Sequence, residues 1–137
     1  MNAVGRILHG ILGVWHGLAA IQNVFEILAA RDVAPGLKPL ASKNLELVGK
    51  LLEPLHPGES TIVMLVAGAS AVEVAASVTF VRGAVTGDCA DAGFAFSLLL
   101  FGAFFLIDDA FDDYDLGARH RAVFTLVASA YAASRAT

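Results

Sequence analysis

Charge is what this sequence is short of. Asp, Glu, Lys and Arg make up 16% of its 137 residues, against roughly 25% in an ordinary soluble domain. A water-soluble bundle of this size needs a largely polar exterior, and too few side chains are present to build one. Cysteine is almost missing: Cys89 stands alone, which excludes an internal disulfide and a Cys-x-x-Cys redox pair and leaves the compartment open. Basic residues form no cluster, do not alternate with aromatics, and sit in a chain of net charge −4. Nucleic-acid binding has no basis in such a pattern. No Gly-rich phosphate loop, nucleophile elbow or thiol-based site occurs. The four prolines are confined to one stretch, from Pro35 to Pro57, which sets that segment apart from the apolar runs on either side.

What is abundant is apolar. Hydrophobic residues reach 57% and mean hydropathy is +0.70. The length suits one domain. A bilayer removes the need for a polar exterior, and the composition therefore predicts an all-α, integral membrane four-helix bundle with a single domain. The first span is expected at 4–30. It follows Asn2, carries Arg6 near its start and ends at Arg31-Asp32. Its apolar run continues through Phe25 and Leu28, too long for the h-region of a signal peptide, so it reads as a membrane helix. The second is expected at 61–81. Between Thr61 and Val81 the one charge is Glu73, and the run would cover about 31 Å, close to the hydrocarbon thickness. The third is expected at 92–107, between Asp91 and Asp108, and the fourth at 118–134, bracketed by Arg119-His120-Arg121 and Arg135. The fourth is short and Ala-rich, and partial burial in the interface is its alternative.

Between the first two spans, Leu45, Val48, Leu52 and Leu55 recur at three- and four-residue steps, with Lys43, Glu46, Lys50 and Glu53 among them. This predicts an amphipathic interfacial helix at about 42–55, with Ser42 as its N-cap. Four spans place both termini on one side. Arg6, Arg82 and Arg135 fall there, against Arg31, Lys38, Lys43, Lys50, Arg119 and Arg121 on the other. The positive-inside rule then places both termini outside, in a bacterial-type inner membrane.

Polar groups in hydrocarbon are costly and should face the bundle interior. His9, His16 and Asn23 are spaced by seven on one face of the first span. Glu26 lies one turn beyond Asn23, and Gln22 neighbours Glu26 at four residues. Such a stripe can line a proton or ligand path, supply metal ligands, or hydrogen-bond between helices. Gly13 and Gly17 form a GxxxG pair that permits close helix approach. On the second span Ser70, Glu73 and Ser77 share a face. An ionised Glu73 needs a partner, for which His16 and Gln22 are candidates; a protonated one donates a hydrogen bond. Asp108, Asp109, Asp112, Asp113 and Asp115 form an acidic cluster followed by Arg119, His120 and Arg121. Asp108, Asp109, Asp112, Asp113 and His120 are candidate metal ligands, and the alternative is an acidic helix end paired with a basic helix start. Spacing and a missing terminal Glu exclude an EF-hand loop. Glu53-Pro-Leu-His56 has the Glu-x-x-His spacing of di-iron bundles, but one copy containing Pro54 is better explained by chance. Trp15, Phe25, Phe101, Phe104 and Phe105 read as packing or lipid-facing groups, and no cofactor is named by any motif.

The segment RILHGILGVWHG, from Arg6 to Gly17, is similar to the glycine-bearing first helix of the DoxX-like family of small four-helix membrane proteins. AVEVAASVTFVRGAVTGDCADAGFAFSLLLFGAFFLI, containing Glu73, resembles that family's second helix, glycine turn and third helix. Gln22, where a lysine often stands, and the aspartate cluster depart from the family pattern. The resemblance implies a membrane partner of redox or quinone-linked systems, with Glu73 as its candidate functional residue. The expected function is an accessory or scaffolding subunit that contacts other membrane subunits or a second copy of itself. Alternatives are a small transporter or proton relay using Glu73, Glu26 and His16, and a membrane metal-binding protein using the 108–115 cluster.

Overall fold

Asn2 begins the folded chain by capping. Its side-chain oxygen accepts the Gly5 amide at 2.9 Å, satisfying one of the orphan donors of a helix start. From there the computed structural model describes residues 1–88, 90–111 and 114–135, without the side chains of 109 and 114–116. The described residues are all-helical and contain no strand. The elements are α1 (Ala3–Ala30), α2 (Asn44–Leu51), α3 (Glu59–Thr86), α4 (Asp91–Ala110) and α5 (Tyr114–Arg135), with short 3-10 segments at Pro35–Leu40 and Glu53–Leu55.

The expected spans fall on these helices, and the helices outrun them. Flanking charges limit the apolar run, but a helix stops where its backbone is turned. α1 closes at Asp32, which has φ 54°. Its amide reaches Ala29 O, and Val33 N–H reaches Leu28 O, the Schellman arrangement with Asp in place of the usual glycine. α3 runs past Arg82 until Gly87, at φ 81°, donates its amide to Gly83 O. The amphipathic helix expected at about 42–55 is shorter than that. Pro54 has no amide to donate, so the α-helix ends at Leu51 and a 3-10 turn carries Glu53–Leu55. Ser42 is not its N-cap: Lys43 holds that position without a capping side chain. The 3-10 segment at Pro35–Leu40 was not anticipated.

Three helices, Ala3–Ala30, Glu59–Thr86 and Asp91–Asp108, are long and apolar enough to cross a membrane. Among the described residues α5 is not one of them; Arg119, His120 and Arg121 interrupt its first half.

The chain divides into two compact units, Met1–Gly17 with Val72–Thr137, and Leu18–Ala71. In the first, α1 and α3 approach closely. A methyl group on Gly13 would lie 2.8 Å from Val81 Cγ2 and 3.1 Å from the Val81 backbone nitrogen, so only glycine fits. Ser77 donates its hydroxyl to Gly13 O at 2.7 Å. Arg6 donates to Ala84 O at 2.8 Å and Val85 O at 2.7 Å, placing a cation on the unsatisfied carbonyl end of α3. The core of this unit is Leu12, Ala76, Phe80, Ala90, Phe94 and Val127. α4 and α5 pack as an antiparallel pair, joined at one end by Asp108 and His120 and at the other by Arg135 and Asp91 at 3.6 Å. The latter pair is exposed and contributes little.

Candidate functional site

The first unit buries two imidazoles side by side with aromatic rings. His9 is fully buried. Its Nδ1 meets Gly5 O at 2.7 Å, one turn back on its own helix, and its Nε2 accepts the Ala90 amide at 3.3 Å. A carbonyl only accepts and an amide only donates, so these partners select the neutral tautomer protonated at Nδ1. His9 therefore caps the start of α4, and neither nitrogen remains for a metal or a transferred proton. Gly83 makes room for it: a methyl there would lie 3.2 Å from His9 Cδ2. Phe80 and Phe94 meet the His9 ring edge-on, at centroid distances of 5.7 and 5.3 Å, and each other at 4.9 Å.

His16, two turns along α1, is also buried. Its Nε2 lies 2.7 Å from Ser97 Oγ, and Ser97 donates to Gly93 O at 3.0 Å. Serine has one proton, so when it bonds Gly93 the imidazole must be the donor to Oγ. The His16 ring is stacked with Phe80 and contacts Trp15, which stacks on Phe101 at 5.4 Å. Phe101 and Phe104 continue the ring contacts to His120.

His120 is held through Nδ1 by the carboxylate of buried Asp108. A carboxylate on one ring nitrogen orients the imidazole and fixes which nitrogen faces outward. Here Nε2 has no hydrogen-bond partner among the described residues. This pair unites two of the candidate metal ligands. Asp112 and Asp113, and the side chain of Asp109, lie outside the described residues, and among those described no group of three or more His, Cys, Asp or Glu is placed to hold a metal. Arg121 stands over the Phe105 ring at 4.9 Å. Glu73, on α3 in the same unit, is buried and engaged with a partner.

In the second unit the polar residues of α1 organise a loop. Glu26 accepts Ser42 Oγ at 2.5 Å and Asn44 N–H at 2.8 Å through Oε2, and Leu45 N–H at 3.1 Å through Oε1. A carboxylate from another helix thus supplies the N-terminal cap of α2. Asn23 is buried, and its Oδ1 lies within hydrogen-bond reach of Asn44 Nδ2, at 2.6 Å, and Ser42 Oγ, at 2.8 Å. Ser70 donates back to Val66 O at 2.7 Å. Gln22 departs from the expectation that it faces inward: its side chain is exposed, while its backbone carbonyl accepts the Ser42 amide. Among the described residues Glu53 and His56 belong to no group of three or more His, Cys, Asp or Glu placed to hold a metal, and His56 follows the 3-10 turn in a left-handed conformation.

Sequence reading overlooked Ser97, Asn44, Phe80 and Phe94. Ser97 carried a signal, being the one hydroxyl within the apolar run of α4 between Ala92 and Ile107. Comparison of the chain with protein-family models, curated proteins and solved structures gives no match.

Proposed function

We propose that this chain is a small integral membrane protein, a four-helix bundle with α2 at the interface, acting as an accessory or scaffolding subunit. The observation that carries this reading is the internal satisfaction of its buried polar groups. Every buried side-chain nitrogen and oxygen among the described residues has a partner. A transport path needs polar groups free to exchange partners, whereas both nitrogens of His9 are committed to backbone groups and Glu26 is committed to the α2 cap. Polar residues used this way fix helix pairing. The apolar outer faces of α1, α3 and α4 are suited to acyl chains or neighbouring membrane helices. The DoxX-like resemblance supports a redox or quinone-linked complex as the setting.

A proton-relay reading has one specific observation in its favour, the burial of Glu73 in the middle of α3. Reconstitution separates the two. Vesicles containing the purified protein are expected to collapse an imposed pH gradient no faster than empty ones, and the protein is expected to migrate with a larger complex in mild detergent. A monomer whose vesicles carry proton flux that Glu73→Gln abolishes would overturn the accessory reading.

A further inference from the structure

On α1 between Ile7 and Val24, the exposed positions are Ile7, Ile11, Val14, Leu18, Ile21, Gln22 and Val24. On α3 from Met64 to Val81, and on α4 from Ala92 to Ile107, every exposed residue is Ala, Gly, Val, Leu, Ile or Met. Across the three apolar helices, Gln22 is thus the one outward-facing polar side chain within these stretches. Its amide makes no hydrogen bond among the described residues. It lies about 8 Å along the helix axis from the midpoint of α1, well inside a hydrocarbon layer about 30 Å thick. Lipid tails offer this amide neither donor nor acceptor.

We propose that Gln22 marks a two-fold contact between two copies of this chain within the bilayer, a proposal that rests on the membrane reading above. The chemistry selects a second copy. A carboxamide carries both an acceptor oxygen and a donor NH₂, so it is complementary to itself. Copies inserted in the same orientation can be related by a two-fold axis along the membrane normal. Their first helices then run parallel, and Gln22 of the partner subunit lies at the same depth. Leu18 and Ile21, exposed on the same stretch of α1, pack beside the paired amides and keep them dry. Polar pairing of this kind is an established source of association between membrane helices.

The test uses the full chain in its own membranes with Cys89→Ser as background. An alkaline carbonate wash comes first; release of the protein overturns the membrane reading and this proposal together. With the protein retained, Leu18→Cys is expected to cross-link into a dimer of twice 14.3 kDa, whereas Leu99→Cys on α4 is not. Gln22→Leu, an outward apolar replacement, is expected to leave helix content unchanged and weaken the dimer about tenfold in vesicle energy-transfer titrations, with Gln22→Asn retaining part of it. A retained protein that is monomeric, that cross-links equally at Leu18→Cys and Leu99→Cys, or whose Gln22→Leu variant dimerises like wild type overturns the dimer alone.

Discussion

His9 and His16 on the first half of α1, and Asn23 on the second, continue one seven-residue step along a single buried face, yet the two halves do different work. In the first unit the inward polar groups sit among rings and bond mostly to backbone: Gly5 O, the Ala90 amide, and through Ser97 to Gly93 O. In the second they reach side chains and amides of the segment after α1, at Ser42, Asn44 and Leu45. The spacing specifies direction, while the neighbourhood specifies role. An imidazole beside Phe80 and Phe94 closes a packed core; a carboxylate beside Ser42 and Asn44 anchors a short helix that could not hold itself. At eight residues, α2 is below the length at which an isolated helix is stable in water.

The sharpest way to break this contrast is His9→Ala. It removes a fully buried ring and strands the Ala90 amide, so the loss should resemble a buried Phe→Ala change, about 3–5 kcal/mol, read as thermal unfolding in detergent. A loss below about 1 kcal/mol would mean that the first unit does not depend on its imidazole. Glu26→Ala should act more locally. Losing charged acceptors for two backbone amides and a hydroxyl should cost about 2 kcal/mol in α2 docking. Hydrogen exchange at Asn44 and Leu45 should then accelerate roughly 30-fold, with the first unit unchanged. Global unfolding in that variant would show that the loop anchor and the ring core are one cooperative system. The smallest effect belongs to Glu46. The Lys50 ammonium donates to its carboxylate at 2.6 Å and, with its charge, holds the Glu46 carboxyl below the usual carboxylate range. Because the folded value is depressed, this support is complete above the unfolded value near 4.5 and disappears as pH falls through the folded one. A slight loss of α2 helicity on acidification, removed by Lys50→Ala and weakened by salt, is the expected result by circular dichroism.

Much of this architecture is legible from local patterns. Long, largely apolar runs gave the positions of α1, α3 and α4, the seven-residue step gave the buried face of α1, and the GxxxG pair gave its close approach to Val81. The partners were not legible, because they are remote. Ala90 is 81 positions from His9 and Ser97 is 81 from His16, and no periodicity encodes such a pairing. Ser42 illustrates a nearer failure. Its hydroxyl has the right chemistry for an N-cap, but the Glu26 carboxylate, a stronger acceptor carrying charge, takes the Asn44 and Leu45 amides. Gln22 departs for a different reason: it neighbours buried Asn23 on α1, and one residue of rotation about the helix axis turns its side chain to the exposed face.

Arg6 has a consequence in time. Its carbonyl partners are 78 and 79 positions further along the chain. At an elongation rate of about 5–20 residues per second, the guanidinium waits about 4–16 s for them to be made. During that interval α1 lacks the link to the end of α3 that the finished fold gives it. Once Ala84 and Val85 arrive, the same charge ties the start of one helix to the end of another made much later.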